Sequence, residues 1–275
     1  MMPTQPHDLA GGPFAEPHER FMQADAAPVD IGALRASDYS IRERERGRRA
    51  FVMRTLDEQR SLAAFSRTLT DLCEIGESID VIGTMTRIVR DEALHVQLCG
   101  QVVDALGGWP GNAPEPRWIK TPTGMTARQR VIDAVLGSMC IGESVSVAMI
   151  AGVRRNTTDP VVQQLLTRML ADESVHGRFG FWWLRLRLAD MSPAERRFID
   201  GRLPRMFAAV ERAARPSLEE LARPYRRGPF GGMSNMDREE AFMVCLDRVI
   251  FPGFEALGID ARGAWAERPL QQVAA

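Results

Sequence analysis

The chain has 275 residues, 45% of them hydrophobic, and a formal net charge of −1 at pH 7. That length can bury one large core with appendages, and the near-neutral balance gives no sign of nucleic acid as the main partner. The four cysteines, Cys73, Cys99, Cys140 and Cys245, form no C-x-x-C pair, which argues against a zinc ribbon or a rubredoxin-type iron site and fits a reducing compartment.

In chain order, residues 1–40 are rich in Pro, Gly and Ala, lack periodicity, and read as a flexible arm. They open with neither a basic n-region nor an apolar h-region, so no signal peptide is expected. No stretch is expected to reach the ~20 apolar residues of a membrane helix. The expected location is the cytoplasm, without a membrane partner.

Residues 41–190 carry four long helical patterns with apolar side chains three and four apart. The first, about 48–75, places Leu62, Phe65, Leu69 and Leu72 on one stripe; the second, about 79–106, runs through Ile82, Met85, Val89, Val96, Cys99 and Val103. The third, about 127–153, runs through Val135, Met139, Val147 and Ile150. The fourth, about 160–188, runs through Val162, Leu166, Met169, Trp183 and Arg187. Gly76-Glu77-Ser78 parts the first pair, and Asn156 to Pro160 parts the second, with Asp159 as N-cap and Pro160 at the first helical position. Such short turns make each pair antiparallel. The eighteen residues of 107–124, with four prolines, separate the pairs. At ~3.3 Å per residue they can span the ~42 Å of a 28-residue helix, so one long crossover is expected.

Residues 191–262 read as accessory helices packed on the bundle. Ser192-Pro193-Ala194-Glu195 is a capping box that opens a fifth helix to about residue 214. A sixth spans about 237–250, after which Pro252 and Gly253 are expected to break the chain, and 263–275 reads as a tail. These helices are expected to cover one face or form an interface, as in a homodimer.

Two phrases carry the chemistry. Asp91-Glu92-Ala93-Leu94-His95 and Asp172-Glu173-Ser174-Val175-His176 are both D-E-x-x-H, on the second and fourth helices. A Glu and a His three apart point the same way, so both can reach one metal ion. Both pairs fall on the apolar stripes, where a carboxylate and an imidazole cost several kcal/mol unless paired or metal-bound.

A two-metal bundle needs one Glu from each of the other helices. On the third helix Glu143 is the only acid near the middle. On the first, Glu58, Glu74 and Glu77 compete. Residues at one level of an antiparallel pair lie symmetrically about its turn. Glu143 and Glu173 centre on residue 158, and Glu58 and Glu92 on residue 75, which selects Glu58. The repeated I-G-E-S at 75–78 and 141–144 is then coincidental, because its copies lie at different heights. The predicted ligands are Glu58, Glu92, His95, Glu143, Glu173 and His176. Such an oxygen-rich set with one imidazole per metal suits iron or manganese better than copper, with zinc less favoured.

Over about residues 50–190 the sequence resembles the ferritin-like di-iron carboxylate proteins. Within them it is most similar to bacterial ferritin-like-domain proteins without an assigned reaction. The matching phrases are Glu58 to Phe65, Asp91 to His95, Cys140 to Glu143, and Asp172 to His176; Gln59 stands where that group has His. The resemblance implies an all-α, ferritin-like four-helix bundle of two antiparallel pairs and one long crossover, holding two irons. D-E-x-x-H with Asp before Glu looks like the bacterial multicomponent monooxygenases, as does Cys99, which stands where the ribonucleotide reductase small subunit has its radical tyrosine. The only tyrosines, Tyr39 and Tyr225, lie outside the four helices. Para-aminobenzoate N-oxygenases add a third His where this chain has Met169.

The expected function is therefore O₂ activation at a carboxylate-bridged di-iron centre to oxidise a small organic substrate, by C–H hydroxylation or N-oxygenation. The alternatives are a ferroxidase or peroxide scavenger of the ferritin or rubrerythrin kind, and a non-catalytic metal-stabilised interaction module. No flavin or nicotinamide fingerprint is present, so an external reductase or ferredoxin is expected as electron donor. Cys99, Met139, Val147, Met169 and Gly180 are candidate pocket residues, Gly180 by leaving space near the metals. Phe179, Phe181, Trp182 and Trp183 supply core or pocket wall. Asp91 and Asp172 are expected to cross the bundle, Asp172 accepting from His95 and Asp91 from His176.

Overall fold

The computed structural model describes residues 29–111, 123–214 and 227–269. The arm as far as residue 28, residues 112–122 of the crossover, Tyr225 and the last six residues of the tail lie outside the described residues. The described residues are helical, with no strand and one isolated bridge, between Thr157 and Gly228.

Helix α1 is Ile41–Glu74 and α2 is Ile79–Ala105. Helix α3 comprises Ala127–Ala134, a π-helical stretch Val135–Glu143, and Ser144–Asn156. Helix α4 is Pro160–Arg187 and α5 is Pro193–Ala214. Helix α6 runs Asn235–Cys245, through a π turn Leu246–Ile250, into Phe251–Glu255; α7 is Ala261–Ala266.

The starts follow local chemistry. Ser40 and Glu43 form a capping box that begins α1 seven residues before the apolar stripe predicted it. The Asp159 carboxylate accepts from the Val162 N–H with Pro160 inside the first turn of α4. Gly76, at φ 71°, ends α1 in the left-handed conformation that a side chain resists.

The four long helices pack lengthwise, α1 on α2 and α3 on α4, with α2 meeting α4 and α1 meeting the start of α3. Helix α5 covers the π stretch of α3, α6 covers its last segment, and α7 rests on α5. Two apolar clusters fill the interior. One gathers Phe65, Leu72, Ile88, Leu136, Met139, Phe179 and Trp183. The other gathers Phe51, Leu56, Leu94, Leu98, Ile150, Leu166 and Met169. Along α1, α2 and α4 the change from one cluster to the other falls at Glu58, at Glu92 to His95, and at Glu173 to His176. A buried polar layer thus divides an apolar core.

Four expectations need correction. The end of the arm is packed, because Ile31 and Leu34 are buried in the second cluster. Pro252 does not break the chain: it stands at the start of the segment after the π turn, where its missing N–H costs least. The tail does not begin at 263, since α7 crosses that point and Trp265 meets the rings of Phe207, Phe242 and Phe251. One helix, Ala127–Asn156, is long and apolar enough by length and composition to cross a membrane. Half of its most apolar window is buried inside the protein, against α4, α5 and α6, because apolar contact on several sides demands such a composition.

Candidate metal centre

Six side chains from four helices converge in the polar layer. Glu58 comes from α1, Glu92 and His95 from α2, Glu143 from the last position of the π stretch, and Glu173 and His176 from α4. Their ligand atoms form two groups, each with all atoms within 4.8 Å of one another: Glu58, Glu92, His95 and Glu173; and Glu92, Glu143, Glu173 and His176. Glu92 and Glu173 belong to both. The structure therefore brings together every ligand residue predicted from the sequence, with two carboxylates placed to be shared between two positions.

The geometry around each imidazole is alike. His95 Nδ1 lies 3.5 Å from Glu58 and 3.5 Å from Glu173. His176 Nδ1 lies 3.1 Å from Glu92, 3.2 Å from Glu173 and 3.9 Å from Glu143. In both rings Nδ1 faces the carboxylates and Nε2 faces away, and the ring centroids are 6.0 Å apart. His95 Nε2 is 3.3 Å from Asp172, and His176 Nε2 is 3.6 Å from Asp91. The pairing is crossed between α2 and α4. The first contact is within hydrogen-bonding range and the second is beyond it.

Burial makes this arrangement costly as it stands. The six residues are 0–6% exposed. Both oxygens of Glu92, one of Glu143 and Nδ1 of His95 have no hydrogen-bond partner. Buried polar atoms without partners cost ~1–3 kcal/mol each, more when charged. Protons take up part of the charge. Burial pushes Glu92 up to about 8 against the pull of His176. Burial and the charges of Glu173 and Glu92 hold Glu143 well above the usual range. Burial opposes charge on His95, but Asp172 and Glu58 overcome it and raise it to about 10. His176 is raised well above its ordinary value by Asp91, Glu173 and Glu92 despite burial. Burial works against ionised Glu173 too, yet Glu143, His176 and His95 bring it down to about 2.

Orphaned oxygens and a nitrogen aimed at one another from four helices fit bound cations. Four carboxylates carry four negative charges, which two divalent ions would cancel, and the donor set suits hard or borderline metals.

The other candidates fall elsewhere. Glu77, the rival on the first turn, is buried at the bundle end, where it accepts from Trp183 Nε1 at 2.9 Å and pairs with Arg187. Glu74 pairs with Arg130 at 3.3 Å. The expectation that Gly180 leaves space near the metals is wrong. A Cβ there would sit 2.7 Å from Cys140 Sγ and 2.9 Å from its backbone nitrogen, so the glycine lets α4 and the π stretch touch. Cys99 and Met169 are fully buried with their sulfurs 3.9 Å apart, Met139 is fully buried in the first cluster, and Val147 is half-buried. Phe181 packs on Phe254 and Trp182 is half exposed. Tyr39 donates to Asp159 at the start of α4, on the far side of the second cluster from the six ligands. Comparison with protein-family models, curated proteins and solved structures finds no match for this chain.

Proposed function

We propose that this chain is a ferritin-like di-iron carboxylate protein, and that it activates O₂ to oxidise a small organic substrate. The observation that carries the reading is the overlap of two four-residue ligand groups through Glu92 and Glu173. A single structural metal needs only one such group, and a surface acidic cluster would not bury both imidazoles completely. Glu58 and His95 would hold one iron, Glu143 and His176 the other, with Glu92 and Glu173 between them. Two irons so held would supply the reducing electrons that O₂ activation needs for the oxidation of a C–H or N–H bond.

The chain's own groups do the rest. The two apolar clusters keep bulk water from the centre. Asp172 holds the His95 ring so that Nδ1 faces the ligand group. Glu143 stands at the end of a π stretch, a helix form frequent at functional sites. No tyrosine from the described residues approaches the centre, which favours oxidation of a bound substrate over formation of a stored tyrosyl radical. An external reductase or ferredoxin would supply the electrons.

The test begins with anaerobic Fe(II) titration, which should saturate at two irons per chain. The reduced protein should then consume O₂ with an external donor and yield oxidised product from a screen of small organic substrates. Saturation at one metal sinks the di-iron reading. Two irons with rapid turnover of Fe(II) or peroxide, and no organic product, would assign the centre to a ferroxidase or peroxide scavenger.

A further inference from the structure

The two D-E-x-x-H phrases extend one helical turn further back than the metal ligands require. Arg87 lies four residues before Asp91 and Arg168 four before Asp172, so each phrase reads R-x-x-x-D-E-x-x-H. In the structure each arginine faces its aspartate, and each aspartate faces the imidazole of the opposite helix. Helix stability does not explain the pattern. In an i,i+4 pair the acid is better placed before the base, and here the base comes first both times.

The two chains of contact are unequal. Arg168 Nε donates to Asp172 Oδ2 at 2.6 Å, and the same oxygen is 3.3 Å from His95 Nε2. The Arg168 side chain is 16% exposed and the Asp172 side chain 6%. On the other side Arg87 Nε is 3.6 Å from Asp91 Oδ2, which is itself 3.6 Å from His176 Nε2. Neither distance is a hydrogen bond, and the Arg87 side chain is 58% exposed. His176 Nε2 and Asp91 Oδ2 are both without a hydrogen-bond partner. Glu143, which shares a ligand group with His176, also keeps an unpartnered oxygen.

We propose that Arg168 is a positioning residue that acts through Asp172 to lock the His95 imidazole at Nε2, whereas Arg87 and Asp91 provide no such lock at Nε2 of His176, so that the two metal positions hold their ions unequally. This rests on the metal-centre reading above. The position served by Glu58 and His95 is the fixed one. The position served by Glu143 and His176 is the more loosely held one.

The experiment uses the full chain loaded with Co(II), whose visible absorption reports coordination, and follows release to an excess of chelator. The wild-type chain should release its two ions in two phases. Arg168→Met should speed the slow phase at least ~10-fold and no more than Asp172→Asn does, since losing the direct partner of a ligand histidine typically costs ~10–100-fold. Arg87→Met should change either phase by less than about 5-fold, the worth of an exposed ion pair. Arg168→Lys should restore the slow phase. Asp172→Asn combined with Arg168→Met should release no faster than Asp172→Asn alone, because the arginine acts through the aspartate. A merely structural Arg168 would instead give additive effects and overturn the proposal. Equal effects of Arg168→Met and Arg87→Met on two bound ions also overturn it, leaving the metal centre itself intact. A wild-type chain that holds no Co(II), or one ion only, overturns the metal-centre reading and this proposal with it.

Discussion

Among the residues, Glu92 and Glu173 differ in kind from the other four candidate ligands, because each belongs to both groups that could hold a metal ion. Replacing a shared carboxylate should therefore remove both ions, whereas replacing an unshared one should remove one. Metal analysis after anaerobic Fe(II) loading should give near zero per chain for Glu92→Ala and Glu173→Ala, and near one for Glu58→Ala and Glu143→Ala. Glu74→Ala should keep two, since Glu74 pairs with Arg130 at the end of α1. One ion left in Glu92→Ala would show that the carboxylate is not shared. This distinction was partly legible in the sequence. D-E-x-x-H supplied the inward pairs, and symmetry about the two turns selected Glu58 over Glu74 and Glu77. A carboxylate-bridged centre was expected, but which two carboxylates belong to both groups was not legible, because it depends on side-chain reach across the bundle rather than on register. Gly180 misled for a related reason. A glycine on an inward stripe means either open space or a close neighbour, and only the neighbouring helix, here at Cys140, decides which.

For the elements, the telling feature is the π stretch Val135–Glu143, which carries Glu143 at its end and touches Gly180. Apolar spacing over 127–153 suits an α-helix and a π-interrupted helix equally, so the widening was invisible in the sequence. A Cβ at residue 180 would collide with the Cys140 backbone and the Met139 Cβ, neither of which can swing aside. Gly180→Ala should therefore cost about 1–3 kcal/mol. It should also weaken retention of the ion at the Glu143 position more than at the Glu58 position, as read by thermal melting and metal analysis. An unchanged melting temperature with two tightly held ions would show that α4 and the π stretch do not need this contact. At the bundle end, Glu77 joins the turn after α1 to α4. Burial raises its pKa, but the hydrogen bonds from Arg187 and Trp183, the Arg187 charge and the Ser78 N–H outweigh burial and lower it from 4.5. A depressed carboxylate stabilises fully above its ordinary value and loses that contribution as pH falls through its folded value. Glu77→Gln should thus melt lower than wild type at neutral pH, by roughly 2–4 °C per kcal/mol lost. The two melting curves should converge below pH 4.5. A gap that persists in acid would assign the effect to packing instead.

On the scale of the whole molecule, the helices were legible because their apolar stripes and caps agree, while α7 was not, because six residues are too few to show a period. The two apolar clusters and the shell of α5 to α7 enclose a layer that is unfavourable without cations. Four carboxylates and two imidazoles are almost fully buried there, with several atoms unpartnered. Metal binding at this layer would therefore add directly to stability: each ion that binds only the folded chain stabilises it by about 2.7 kcal/mol at a hundredfold excess over Kd. For a chain of this size that corresponds to roughly 5–10 °C in melting temperature for each ion bound. Mn(II), which avoids oxidation during heating, should raise the melting temperature by that amount, and a chelator should reverse it. Glu143→Met removes a buried carboxylate and fills its volume with apolar atoms, an exchange often neutral or stabilising by ~1–4 kcal/mol. Without metal this variant should melt at or above the wild-type temperature, and Mn(II) should raise it less. If the metal-free variant instead melts well below wild type, the buried carboxylates contribute to the fold through direct contacts rather than waiting for cations. If Mn(II) leaves the wild-type curve unmoved, the polar layer is a closed hydrogen-bonded network, and the case for a metal centre falls.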